Sequence, residues 1–195
     1  MVSPPDDAPG PRPSSELDSR TLVAAQRGDR AARGAFIALY ERRVTALVGR
    51  LLVSRPDLVA DAVQDVFVKL LTELHRFEPD GPARLSTWAL TVAARQNLDR
   101  LRRLGTERRL LEAGEADDHA GPSGVGRVEA LDLGARVTAA MAALPADHRA
   151  VLVLRAYHDL DYDEIAAALE IPVGTVKSRL GRAREALKRA VGGQP

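Results

Sequence analysis

DYDEIAAALEIPVGTVKSRLGRAREALKRA, residues 161–190, divides into two helices joined by a short turn, the second far more basic than the first. Asp161 is a good N-cap, and Glu164 three residues later completes a capping-box spacing that ties up orphan amides. Ile165, Ala166 and Leu169 give the first helix one small apolar face. Ile171-Pro172 breaks it, because proline cannot continue a helix and biases its predecessor away from helical angles. The second helix restarts near Val173 and sets Val176, Leu180, Ala183 and Leu187 on one stripe. Between Val173 and Ala190 six lysines and arginines stand against one glutamate. A helix with one buried stripe and a cationic outer face, held by a shorter helix, suits insertion into a DNA major groove. The same residues would also serve as the solvated face of a basic helical hairpin.

The wider segment decides between these. LDYDEIAAALEIPVGTVKSRLGRARE, preceded by ALPADHRAVLVLRAYHDL, resembles the C-terminal domain of the sigma-70 family, especially its extracytoplasmic-function (ECF) branch. The resemblance implies that Lys177, Ser178 and Arg182 face the promoter's −35 element with Thr175 beside them, and that Arg184 and Arg155 sit on phosphate.

The chain has 195 residues and no cysteine, which excludes disulfides and cysteine-ligated metal sites and fits a reducing compartment. Net charge is +1, so only its distribution can speak about nucleic acid. No apolar run approaches the roughly 20 residues of a membrane span, and the N-terminus lacks a signal peptide's apolar core. No alternating strand pattern of useful length occurs. The expected fold class is all-α, with two small helical domains on a flexible linker.

In order, residues 1–20 are rich in Pro, Ser and Asp and are expected to be a disordered tail. Residues 21–104 form the first helical domain. Phe36, Tyr40, Val44, Leu47, Val48, Leu51 and Leu52 follow one helix face, which Arg55-Pro56 ends. Val59, Ala62, Val63, Val66, Phe67, Leu70, Leu71 and Leu74 keep three-four spacing on the next, with Asp61, Gln64 and Asp65 on its polar side. After the loop FEPDGPARLS a third helix runs from about Ser86 to Arg103, with Trp88 packed inward. Residues 105–134 are expected to be an acidic linker that does not pack, and residues 135–192 the second domain. The four histidines, His75, His119, His148 and His158, have no metal-ligand spacing and read as surface or packing groups.

The resemblance extends over about residues 21–190. DLVADAVQDVFVKLL is similar to the helix by which sigma factors bind the clamp helices of RNA polymerase, so Asp61, Gln64 and Asp65 become candidate core-polymerase contacts. The third helix and its loop correspond to the part that reads the −10 element and holds a base of the melted strand. Arg84, Ser86, Thr87, Arg95, Asp99, Arg102 and Arg103 are its candidates. Many relatives read IARN in this helix, whereas this chain reads VAAR and places Arg95 where that Asn would stand. The implied protein is a cytoplasmic, non-enzymatic sigma factor without cofactors. Its implied partners are core polymerase, through the clamp helices and the beta flap, promoter DNA and an anti-sigma factor. The alternatives are a stand-alone helix-turn-helix regulator, which leaves residues 21–104 unexplained, and a metal hydrolase built on Asp61, Asp65 and a histidine.

Overall fold

A computed structural model describes residues 16–114 and 133–192, and among these it contains eight α-helices and no strand. The first bundle opens with α1 (Ser19–Gln26), where the Asp18 carboxylate accepts from the backbone N–H of Arg20 and Thr21. Gly28 takes φ +95°, a conformation that a side chain would strain, and the chain reverses there into α2 (Arg30–Leu51). The N-cap of α2 is Asp29, which accepts from the Ala32 N–H at 2.8 Å. Phe36, Tyr40, Val44, Leu47, Val48 and Leu51 are fully buried along α2, as their spacing requires.

A short 3-10 turn at Pro56–Leu58 leads into α3 (Val59–Glu73), which buries Ala62, Val66, Phe67 and Leu70. A second 3-10 turn, Leu74–Arg76, follows. It is pinned from α1, where the Gln26 amide donates to the carbonyls of Leu74 and Phe77 at 3.0 and 2.8 Å. Trp88 stacks at a tilt on Phe77, with ring centroids 5.6 Å apart, and is part of the core rather than an open base platform.

Two expectations need correction here. Chain order begins before residue 21: α1 starts at Ser19, and Glu16 already packs against the bundle. The Glu16 carboxylate accepts from the Ser86 N–H at 3.2 Å and from the Ser86 hydroxyl, and the Tyr40 hydroxyl donates to it at 3.2 Å. It thus caps a helix start seventy residues away, where an anion is favoured by the exposed amides and the helix dipole. Composition could not reveal such a partner. The third helix is also longer than expected: α4 runs from Leu85 to Gly114 and takes in the first part of the expected linker. LGTERRLLEA is rich in strong helix formers, and one glycine costs only about 1 kcal/mol. The remaining tail, 1–15, and the acidic stretch 115–132 with His119 lie outside the described residues.

The second bundle holds α5 (Leu133–Ala143), α6 (Ala146–His158), α7 (Tyr162–Leu169) and α8 (Val173–Gly192). Pro145 precedes α6 as its cap residue. Asp161 and Glu164 form the reciprocal capping box at 2.8 Å in both directions, a device that contributes about 0.5–2 kcal/mol. α7 ends on Glu170 in the left-handed conformation, φ 54°, and the chain restarts after Pro172 as α8. Val176, Leu180 and Ala183 are buried against α5, α6 and α7, and Leu187 partly so.

The bundles also meet each other. α2 packs on α6, and α4 packs on α7 and α6. The buried apolar cluster is continuous through both bundles, and polar contacts are added to it. Arg50 stacks its guanidinium over the Tyr157 ring at 4.1 Å, and the Ser54 hydroxyl reaches the Ala142 carbonyl at 3.5 Å. Arg149 is 5% exposed, donates to the Ser54 hydroxyl at 3.4 Å, and leaves its Nε without a partner.

Candidate nucleic-acid and polymerase surfaces

The α8 surface is the simplest. Because Val176, Leu180 and Ala183 are held inward, Lys177, Ser178, Arg182 and Arg184 are turned out and exposed, and Thr175 is half-buried. Ser178 donates to the Thr175 carbonyl at 3.0 Å. A rigid helix presenting three cations and a hydroxyl can place donors against base-edge acceptors and phosphates together. Arg155 stands apart from this group. Its guanidinium donates to the Leu160 carbonyl at 3.1 Å and lies 5.8 Å from the Tyr162 ring, tying the α6–α7 corner.

The candidates on α4 and at Arg84 just before it separate into three sets. Ser86 is 5% exposed with its hydroxyl and its amide both given to Glu16, so it is a capping residue and not an open DNA contact. Arg84, Asp99 and Arg103 are exposed. Thr87, Arg95 and Arg102 are engaged with the second bundle. Thr87 donates to the Glu164 carboxylate at 3.0 Å. Arg95 donates from Nε to the Ala168 carbonyl at 2.6 Å and from Nη2 to the Ala167 carbonyl at 2.7 Å, and its Nη1 lies 2.8 Å from the Glu170 carboxylate. Arg102 lies 3.1 Å from Asp99 and 3.3 Å from Asp147, whose other oxygen is 3.2 Å from Arg179 of α8.

On α3, Asp61, Gln64 and Asp65 are all exposed, opposite the buried Ala62, Val66 and Phe67. They share one polar face. Asp65 is ion-paired to Arg100 of α4, so one of the three also joins two helices of the bundle. Lys69, Gln96 and Arg103 surround this pair in a hollow of about 430 Å³, where the Gln96 Oε1 has no hydrogen-bond partner.

Several residues at these surfaces were not singled out from the sequence: Glu16, Asp147, Arg149, Glu170 and Arg179. Each acts across a large sequence separation, which periodicity does not encode. The capping-box spacing did single out Glu164, but as a local cap and not as the acceptor of Thr87. His158 is a packing residue, 8% exposed, at the α6 end of the joint. Burial, with Arg43 and Arg50 nearby, lowers its pKa to about 4, so its ring is neutral at pH 7. Burial likewise lowers the pKa of the Arg149 guanidinium and raises that of the Tyr40 hydroxyl, the latter helped by Glu16. Among the described residues no three His, Asp or Glu side chains group so as to hold a metal ion, and no helix is long and apolar enough to cross a membrane.

Two family models match the chain: sigma-70 region 2 over residues 36–107 and sigma-70 region 4 over residues 135–187. The ECF RNA polymerase sigma-E factor of Escherichia coli (strain K12) is 31% identical over 188 residues, covering 91% of this chain and 96% of its own. Among solved structures, CnrH in complex with the cytosolic domain of CnrY is similar at 26% identity and a TM-score of 0.61, covering 90% of this chain and 97% of that one. The sigma factor RpoE of Bartonella quintana, in complex with the anti-sigma factor NepR, shares the fold at 23% identity and a TM-score of 0.61, over 83% of this chain and 98% of that one. The order of elements, the exposed basic α8 and this relationship along nearly the whole chain agree: it belongs to the ECF branch of the sigma-70 family and is an RNA polymerase sigma factor.

Proposed function

We propose that the three surfaces divide a sigma factor's work between them. The polar face of α3 docks on the clamp helices of core polymerase through Asp61, Gln64 and Asp65. The open and cationic sides of α4, with Arg84, Thr87, Arg95, Asp99, Arg102 and Arg103, hold the unpaired −10 strand. α8 reads the −35 element with Thr175, Lys177, Ser178 and Arg182, while Arg184 lies on phosphate, and the second bundle also meets the beta flap. Arg155, tied into the α6–α7 corner, reaches the backbone with what remains of its donors. The observation that carries this reading is the exposed cationic face of α8 opposite the buried Val176, Leu180 and Ala183.

The mechanism is one of positioning. On α8 the Arg182 fork and the Lys177 point charge fix register on the duplex through base-edge contacts and Arg184 through phosphate. The α4 guanidiniums neutralise the phosphates of the separated strand and so favour the melted state over the duplex. Arg95, standing where many relatives carry Asn, offers five donors and no acceptor, so a base held there would be read through its acceptor atoms. The chemistry of RNA synthesis belongs to the polymerase. Because CnrH and RpoE were solved with CnrY and NepR, an anti-sigma protein is the regulator proposed for this chain as well, acting where the polymerase is, in the cytoplasm.

Promoters can be found by sequencing the RNA start sites that appear when the chain is overexpressed. On such a promoter, core polymerase with the purified chain is expected to give run-off RNA that neither gives alone. Arg95→Ala should reduce permanganate reactivity of −10 thymines while polymerase occupancy persists. Undiminished reactivity moves the strand contact elsewhere on α4.

A further inference from the structure

Asp61, Gln64, Asp65, Val68 and Thr72 of α3 are open to water in one line, at helical steps of three, one, three and four. All but Val68 are polar. Val68 is 60% exposed, the most open of the large apolar side chains among the described residues. A single exposed apolar group is ordinary on a protein surface, so the meaning lies in where this one stands. Folding gains little from it. The core face of α3 is already made by Ala62, Val66, Phe67 and Leu70, and on an open face valine is a weaker helix former than alanine or leucine. Thr72, one turn on, donates its hydroxyl to the Val68 carbonyl at 2.7 Å, which leaves its methyl group beside the valine. The stripe is therefore acidic toward its N-terminal end and apolar beyond, with Asp61 and Val68 two turns, about 10 Å, apart.

We infer that Val68, flanked by the Thr72 methyl group, is the apolar anchor of the polymerase-docking surface, one to two turns beyond the acids that the sequence singles out. This rests on the reading of α3 as the docking helix. The matching surface on core polymerase is a helix pair that sets cations against Asp61 and Asp65 and, in line with them, an apolar side chain against Val68. Specific interfaces combine a desolvated apolar contact with polar groups around it that keep water out. Val68 suits that part, because a β-branched side chain on a helix holds one rotamer and has little freedom to lose on docking. Other occupants fit the stripe less well. The phosphates of DNA are repelled by its acids. The stripe carries no exposed cation, so a second copy of the chain docked stripe to stripe would set acid against acid.

The test is competition of the full chain against a labelled sigma factor for core polymerase. Val68→Ala should weaken binding about threefold to tenfold, as loss of two buried methyl-sized groups allows, with its urea melt unchanged or slightly raised. Val68→Lys should weaken binding about thirtyfold or more, because it buries a charge against a cationic partner. Val68→Ile keeps the apolar contact and should bind like the wild type. Val23→Ala removes the same groups from an exposed valine on α1 and should leave binding unchanged. Should Val68→Lys lose helicity, Val68→Ala and Val68→Ile carry the test. If the Val68 variants compete like the wild type while Asp61→Arg does not, the anchor is overturned and the docking role of α3 stands. If all of them compete like the wild type, both fall. A markedly earlier melt of Val68→Ala would make the side chain a packing residue and overturn the anchor as well. If the Val68 variants instead change the sedimentation of the free chain and leave competition intact, the valine serves a second copy of the chain, and the proposal is overturned.

Discussion

Asp61→Arg is the sharpest way to ask whether α3 docks on the polymerase. Asp61 lies exposed in the first turn of α3, where a negative charge is favoured by the helix dipole. Reversing it removes a contribution of 0.3–1 kcal/mol and adds a comparable penalty, so the chain should lose about 1 kcal/mol of stability, visible as a small shift in a urea melt. Among the described residues no hydrogen bond or ion pair involves that side chain. At a docked interface, a charge that is buried and hydrogen-bonded is worth about 2–5 kcal/mol when its partner is left unpaired, or roughly thirty- to several-thousand-fold in affinity. Competition against a labelled sigma factor for core polymerase, followed by anisotropy, reads that range directly. Asp65→Arg makes the instructive contrast. It sets a second guanidinium against Arg100, only a quarter exposed, so it loses an ion pair and gains a repulsion, about 1–2 kcal/mol together. Weak binding by that variant would mix docking with a loosened α3–α4 joint, which is why Asp61 is the cleaner probe. If Asp61→Arg competes for core polymerase as well as the wild type, α3 is not the docking helix.

On α8, Arg182→Ala should cost about 1–3 kcal/mol at one position of the −35 element, whereas Arg184→Ala should weaken all sequences alike and lower the salt slope by about one. Identical effects of the two at every base would undo that division. His158 sets an acid limit: its pKa of about 4 lies below the ordinary 6.5, so the unfolded chain takes up the proton first as pH falls. Stability from this group is complete above about pH 6.5 and is lost progressively toward pH 4, on the order of 2 kcal/mol by pH 5. His158→Gln should flatten that slope in urea melts at pH 7 and pH 5, and an unchanged slope would place the acid sensitivity elsewhere.

What could be read from the sequence was what is local. The α8 stripe, the Asp161–Glu164 box, the Pro172 break and the α2 and α3 faces all follow from spacing within a few turns, and each is found in place. The roles of side chains that cross the molecule were not legible. Ser86 looked like a loop hydroxyl open to DNA because its partner, Glu16, lies in a stretch whose composition reads as disordered. Asp65 looked like free surface because nothing in the α3 pattern indicates Arg100 across the helix pair. Arg95 was visible as a departure from the family's Asn, but its bonding to α7 carbonyls depends on how two bundles meet, which no period in either encodes.

The two kinds of contact also differ in what they contribute. Within each bundle, residues such as Phe36, Leu47, Leu154 and Ile165 are wholly removed from water, at about 1.5–3 kcal/mol for a side chain of that size. Between the bundles, apolar packing through α6 is joined by hydrogen bonds such as Arg95 to the Ala167 and Ala168 carbonyls and by ion pairs at Glu170 and Asp147, each pair worth about 0.2–1 kcal/mol. Two groups there offset part of that gain. Arg149 is desolvated with one long hydrogen bond and an unpartnered Nε, and the buried His158 Nε2 has no partner. Unsatisfied groups of this kind cost about 1–3 kcal/mol each, and water would satisfy them on separation. The buried apolar residues form one cluster that runs through both bundles, so α6, with Ala150 to Leu154 all buried, ties the second bundle to α2 and α4 by burial as well as by polar contacts.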